Sequence, residues 1–165
     1  AVDYLIRQGH RKIAVFGGPV TSYPSLMRRQ GAQQAMEDAG IVFNDKLYGL
    51  SNYDFESAYH AMNSLLARRA EFTALFAMSD VIAFGAIRAL VSAGLRVPED
   101  VSVIGFDGIT MSRYCVPVMT TIVQPSEQIA LQSIELLVRQ IEHGSPAQTV
   151  TLQPELQQGE SVRAI

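Results

Sequence analysis

Residues 73–106 read TALFAMSDVIAFGAIRALVSAGLRVPEDVSVIGF and contain the whole logic of the fold. Thr73-Ala-Leu-Phe-Ala-Met78 is a short apolar run of strand length. A helix follows from Asp80, which is expected to cap it, to Gly94, which stops it. Val101-Ser-Val-Ile-Gly-Phe106 is a second apolar run, rich in β-branched residues. Runs apolar throughout, rather than alternating, are the mark of strands buried on both faces. A strand, a crossover helix and another such strand form a βαβ unit, and a parallel sheet follows from it.

Working outward, the same alternation recurs. Upstream, Lys12-Ile-Ala-Val-Phe-Gly17 is a buried strand, preceded by a helix over Val2 to Gln8 that stops at Gly9. Gly18 to Pro24 is a loop, Ser25 to Ala39 a helix closed by Gly40, and Lys46 to Leu50 a weak strand. Asp54 caps a helix running to about Arg69. Downstream, Met119 to Val123 is a further strand, Ser126 caps a helix to about His143, and Thr149 to Gln153 is a short strand near the end. The expected fold class is α/β, a parallel sheet flanked by helices with right-handed crossovers. Pro125 and Pro154 mark the expected crossing points between lobes.

Composition narrows the function. Among 165 residues 48% are hydrophobic, enough for a sizeable core. No apolar run reaches the ~18 residues that span a bilayer, and the first residues do not read as a signal peptide. The net charge is −3 and no stretch concentrates Lys and Arg, so these residues lack the positive footprint of a nucleic-acid binder. One cysteine, Cys115, excludes an internal disulfide framework and suits a reducing cytoplasm. His10, His60 and His143 have no metal-ligand spacing, and no nucleophile elbow, phosphate loop or dinucleotide fingerprint is present. The expectation is neither an enzyme nor a metalloprotein, with no cofactor.

In an open parallel sheet a ligand lies beyond the carboxyl ends of the strands. The residues there are Gly17-Gly18-Pro19 and Tyr23, Asn52-Tyr53-Asp54, Ser79-Asp80, and Asp107-Gly108. A ring with several hydrogen-bonding groups suits a hydroxyl-rich or planar small ligand. Asp54 and Asp80 are sufficiently explained as helix caps. No helix starts directly after Asp107, so ligand contact and bracing of its loop by an Asx-turn both account for it. Arg28 and Arg29, placed in a first helical turn, oppose the helix dipole. Either a solvated face or a cleft-facing bidentate donor explains them, and the residues alone favour the former.

The chain also resembles a known family. Gly9-His10-Arg11-Lys12-Ile13-Ala14 followed by Gly18-Pro19, Arg28-x-x-Gly31, Ser79-Asp80 with Ala83-x-Gly85-Ala86, and Thr120-Thr121-Ile122-x-Gln124 are similar to stretches of the lactose-repressor/galactose-repressor family. Gly94-Leu95-Arg96-Val97-Pro98-Glu99-Asp100-Val101-Ser102-Val103-Ile104-Gly105-Phe106-Asp107 is the strongest match, and the resemblance runs nearly end to end. It implies a periplasmic-binding-protein-like (type I) fold of two lobes with a small-molecule effector, a sugar or related metabolite, in the cleft. It implies ligand contact by Arg28, Tyr53, Ser79, Asp107 and Gln124, with Ser79 standing where asparagine is common. Residues 1–122 would form the carboxy-terminal lobe, 123–154 would belong to the amino-terminal lobe, and 155–165 would return. The helix-turn-helix headpiece that reads operator DNA would lie outside these residues. The implied protein is a cytoplasmic homodimeric repressor without membrane contact. The alternative is a periplasmic or receptor sugar-binding protein of the same fold, against which Val97-Pro98-Glu99-Asp100 speaks.

Three structural expectations follow. Arg28, Tyr53 and Asp107 converge at one mouth of the sheet. The helix from Asp80, apolar nearly all round with Arg88 its only charge after the cap, is covered by the sheet and by either a second layer of this chain or a partner, and lies partly in a two-fold interface near Tyr114-Cys115. The helix from Ser126 carries an apolar stripe of Ile129, Ile134, Leu137, Val138 and Ile141. Leaving each of these in water costs ~1.5–3 kcal/mol, so the stripe is expected to pack on another copy or fold back on the lobe.

Overall fold

A computed structural model describes residues 1–144 and 146–165. The expected segment 123–154 includes position 145, which lies outside the described residues. Among the described residues five α-helices, α1 (Val2–Arg7), α2 (Tyr23–Asp38), α3 (Phe55–Ala67), α4 (Asp80–Ser92) and α5 (Ser126–His143), are interleaved with six strands. The strands are β1 (Ile13–Gly17), β2 (Tyr48–Leu50), β3 (Ala74–Ala77), β4 (Ser102–Asp107), β5 (Thr120–Val123) and β6 (Glu155–Gln157). They form one sheet in the order β2-β1-β3-β4-β5-β6. β1 to β5 run parallel, and β6 joins the edge antiparallel with Leu156 opposite Ile122.

Successive strand residues point to opposite faces, and each face has its own layer. Ala14, Phe16, Leu75, Ala77 and Val103 pack against Ala58 and Met62 of α3 and Ile82, Ala86 and Leu90 of α4. Ile13, Val15, Phe76 and Ile104 pack against Val2 and Leu5 of α1 and Ala32 and Met36 of α2. The uninterrupted apolar runs of β1, β3 and β4 thus reflect burial on both sides. The apolar surround of α4 has the same origin. The sheet covers one flank and α3 the other, approaching so closely at Gly85 that an added Cβ would lie 2.4 Å from the Phe55 carbonyl oxygen. A second layer of this chain provides that cover.

Several local expectations are corrected. Asp80 does not cap α4. Ser79, extended at φ −156°, caps it, its Oγ accepting from the Ile82 amide at 3.2 Å. The Asp80 carboxylate is turned instead toward distant partners described below. α2 begins at Tyr23 rather than Ser25, with Pro24 in its first turn, where a missing N–H costs nothing. Arg28 and Arg29 therefore sit in its second turn. The predicted strand over Lys46 to Leu50 divides into a 3-10 turn, Asp45–Leu47, and β2. Ser126 makes no capping bond, and Pro125 holds the cap position. The last strand is β6, not Thr149 to Gln153, because only Glu155–Gln157 reaches the free edge of β5.

α5 departs most from expectation. It has no buried residue, and its stripe is open, from Ile129 at 41% exposed to Ile141 at 73%. It does not fold back on the lobe, since α1 and α2 already occupy one face of the sheet and α3 and α4 the other.

The tail is anchored to the sheet. Ser161 Oγ donates to the Val103 carbonyl at 2.6 Å, and the Ile165 amide donates to the Gln8 carbonyl at 2.9 Å. His10, 1% exposed, fixes it further. Its Nε2 lies 3.1 Å from the Arg163 carbonyl and its Nδ1 2.9 Å from Thr73 Oγ1. A carbonyl only accepts, so Nε2 carries the proton and Nδ1 accepts from the hydroxyl in the neutral ring. Burial holds the His10 pKa below its ordinary 6.5. The unfolded chain then takes up a proton that the folded chain refuses. This contribution is complete above pH 6.5 and is lost as pH falls from there through the lowered folded value. Denaturant titrations should show stability falling below about pH 6.5 by up to ~1.4 kcal/mol per pH unit, and this slope should flatten in His10→Gln. Equal slopes in the two proteins would refute the assignment.

Candidate functional site

The sheet order changes direction between β1 and β3, where the connections leave to opposite sides and open a crevice beyond the strand ends. α2 starts at this end, and its second turn reaches across the crevice. Arg28 Nη1 donates to the Met78 carbonyl, just after β3, and Nη2 lies 3.4 Å from Asp107 Oδ1, at the end of β4. The guanidinium also lies over the Phe106 ring, 3.8 Å from its centroid. A cation placed on a ring face and tied at two edges has little rotational freedom left. Arg28 is therefore held across the strand ends instead of lying on a solvated face.

Asp107 is the hub. Its Oδ1 accepts from Gln124 Nε2 at 2.7 Å, and its carbonyl accepts from the Gln124 amide at 3.1 Å. Among the described residues Oδ2 accepts no hydrogen bond, so one oxygen of the carboxylate is unused. Burial pushes the Asp107 carboxyl above the usual range, while Arg28 and Gln124 pull against that shift. Its backbone is at φ +111°, a region L-residues rarely adopt. The following Gly108, at φ +71°, continues the turn. Such strain persists only where surrounding contacts impose it. Here these are Arg28, Gln124 and the bond from the Ile109 amide to Asp80 Oδ2 at 2.8 Å.

Tyr53 enters from the loop after β2, at φ +60°. Its hydroxyl is 2.6 Å from Ser25 Oγ, one helical turn before Arg28. Its ring covers Gly18, where a Cβ would fall 1.9 Å from the ring. Glycine after β1 is thus what allows the tyrosine to lie flat there. Arg28, Asp107 and Gln124 are in direct contact, and α2 links Tyr53 to them through Ser25. Ser79 is placed differently. It is 3% exposed and its hydroxyl is engaged in capping α4.

Sequence reasoning missed three participants. Ser25 stands three residues before Arg28 and so shares its helix face, a spacing that was available as a signal. Phe106 was assigned only to a strand. Asp80 was read as a cap, but it is fully buried, accepts from Thr121 Oγ1 at 2.6 Å and from the Ile109 amide, and holds the loop after Asp107. No local pattern distinguishes a capping aspartate from one bonded to β5.

Among the described residues no group of three His, Cys, Asp or Glu side chains could hold a metal ion. Among those residues no helix is long and apolar enough to cross a membrane. The arrangement offers a fixed cation, a strained carboxylate, an amide and a ring, which are recognition groups.

Residues 2–162 match the family described as periplasmic binding protein-like domain. The HTH-type transcriptional repressor PurR of Histophilus somni (strain 129Pt) is 37% identical over 166 residues, covering 100% of this chain and 50% of that protein. PurR of Photorhabdus laumondii is 39% identical, covering 96% and 47%. The chain spans about half the length of the curated relatives it matches. The transcriptional regulator CelR, solved in complex with cellobiose, superposes with a TM-score of 0.93 at 34% identity, over 98% of this chain and 50% of that one. A sugar-binding LacI-family regulator from Escherichia coli, solved with phosphate, gives 0.92 at 34% identity, over 99% and 59%. By sequence and by fold, this chain belongs to the periplasmic binding protein-like domain family, in the form found in lactose-repressor/galactose-repressor regulators.

Proposed function

We propose that the chain is the effector-sensing and dimerisation domain of a bacterial transcription regulator that works in the cytoplasm. The observation that carries this reading is the Arg28–Asp107–Gln124 constellation at the strand ends, flanked by Tyr53. It binds a small hydroxyl-rich or N–H-bearing molecule, a sugar or related metabolite. Asp107 accepts from it, Arg28 and Gln124 donate to it, and Tyr53 stacks on it. Ser79 borders this site through its backbone. The domain acts by binding, not turnover. Residues 1–122 form one lobe and 155–165 return to it. Residues 123–154 belong to a second lobe, whose core receives the apolar stripe of α5. Closure of the lobes on the ligand shifts the population between two arrangements. In a homodimer this resets the spacing of DNA-reading headpieces, which alone touch operator DNA. The open flank of α4, with Val91 exposed, and the exposed Tyr114 form part of the two-fold contact.

The test is calorimetric titration of the full-length regulator against mono- and disaccharides, phosphosugars and nucleobases, followed by Asp107→Ala with the ligand found. Removing a charged acceptor should weaken binding by about 10- to 100-fold in a variant that circular dichroism shows to be folded. Undiminished affinity in Asp107→Ala would overturn the site.

A further inference from the structure

At the opposite end of the sheet lies a groove of about 640 Å³, within the range of small-molecule sites. It opens where β1 begins, between the end of α2, the turn before β2 and the end of α3. Its floor is apolar, made by Ile13, Met36, Ile41 and Leu47, and its rim is cationic. Arg11, Lys12, Lys46 and Arg68, four of the thirteen Lys and Arg residues of a chain with net charge −3, line this one groove. Glu71, its only carboxylate, is paired with Lys12 at 2.5 Å. Among the described residues Arg11, Lys46 and Arg68 have no carboxylate partner. Helix ends explain part of this. Arg11 donates to the Ala39 carbonyl beyond α2, and Arg68 is the C-cap of α3, where cations suit the dipole. Lys46 stands in the last turn of the three-residue 3-10 turn, which is too short to have a dipole like that of α2 or α3, and helix ends do not call for an apolar recess beneath the charges. Val42, 88% exposed, adds a bare aliphatic side chain to the wall.

We infer that this groove is a second ligand site, taking an organic anion that carries a carboxylate or phosphate on an apolar body. The body lies on Ile13, Ile41 and Leu47, and the anionic group sits among Lys46, Arg68 and Arg11. The site is separate from the Arg28–Asp107 crevice, because β1 runs from one to the other. α2 also joins them, with Ser25 and Arg28 at one end and Met36 at the other.

The test uses the full-length protein and 1-naphthyl phosphate as probe, with inorganic phosphate and 1-naphthol as its two halves, read by calorimetry. Saturable one-to-one binding of 1-naphthyl phosphate is expected, with either half at least about tenfold weaker. Lys46→Glu combined with Arg68→Glu should weaken it about tenfold or more. Both side chains are exposed, and the circular dichroism spectrum checks that the variant is folded. Asp107→Ala should leave this binding intact. The inference is overturned by absence of saturable binding, by indifference to the double charge reversal, by inorganic phosphate binding equally well, or by loss of binding in Asp107→Ala, which would place the probe in the other crevice.

Discussion

Replacing Asp80 with alanine is expected to lower the unfolding free energy by about 3–5 kcal/mol, measured by urea denaturation at neutral pH. The carboxylate is fully buried and accepts from Thr121 Oγ1 at 2.6 Å and from the Ile109 amide at 2.8 Å. Alanine would strand two donors in a region closed to water, at about 1–3 kcal/mol each, and would leave a void beside Gly105. An added Cβ at Gly105 would lie 2.2 Å from Asp80 Oδ1, so the two residues fit as a pair. Asparagine gives the finer test. Its single oxygen can keep the Ile109 bond while its NH2 donates to Thr121 Oγ1, because the hydroxyl can reverse its role. Burial already pushes the Asp80 carboxyl above its usual range, so the charge itself is costly there. Asp80→Asn should therefore recover most of the loss. If asparagine proves as damaging as alanine, the bonding scheme is wrong. The anchored Ile109 follows the strained Asp107–Gly108 turn, so Asp80→Ala should also weaken whatever ligand Asp107 binds.

The second large effect concerns two glycines inside helices. Intrinsic propensity alone predicts that Gly→Ala stabilises an exposed helix interior by about 1 kcal/mol. Gly31 in α2 should follow that rule, since nothing lies within 4 Å of the position a Cβ would take. Gly85 in α4 should reverse it. A Cβ there would lie 2.4 Å from the Phe55 carbonyl oxygen and 2.8 Å from Ala58 Cβ, and the first obstacle is backbone, which does not swing aside. Forcing α3 and α4 apart loosens the layer over β1 and β3. Gly85→Ala should destabilise by roughly 1–2 kcal/mol and Gly85→Val by about 3. A Gly85→Ala protein as stable as the parent would show that α3 yields easily and that the close approach is incidental.

The parallel sheet was legible because burial on both faces leaves a linear trace. Ile13 to Phe16, Ala74 to Ala77 and Val103 to Ile104 are apolar at every step, and strand periodicity needs no knowledge of the partner. Asp54 was read correctly as a cap, its carboxylate accepting from the Ser57 amide at 2.7 Å, because capping is satisfied within one turn. The strand-end positions of Tyr53 and Asp107 were equally accessible, since the carboxyl edge of a parallel sheet is defined by chain direction, whereas Gln124 was reached only through the family resemblance.

What the residues left open depends on distant partners. Sequence offered Arg28 both a solvated and a cleft-facing role. Its choice is made by the Met78 carbonyl, the Phe106 ring and Asp107, which come from other strands. Ser79 and Asp80 are adjacent, and both residue types cap helices. The serine caps because the aspartate is drawn to Thr121, 41 residues on. The last strand fell on Glu155–Gln157 because strand identity is settled by the free edge of β5, not by local alternation. Local chemistry, whose partners lie within a helical turn or a strand period, was determined by the sequence itself. Which of several competent side chains receives each long-range bond was decided only by the tertiary structure, because that competition is resolved by which groups the packed sheet brings within hydrogen-bonding distance.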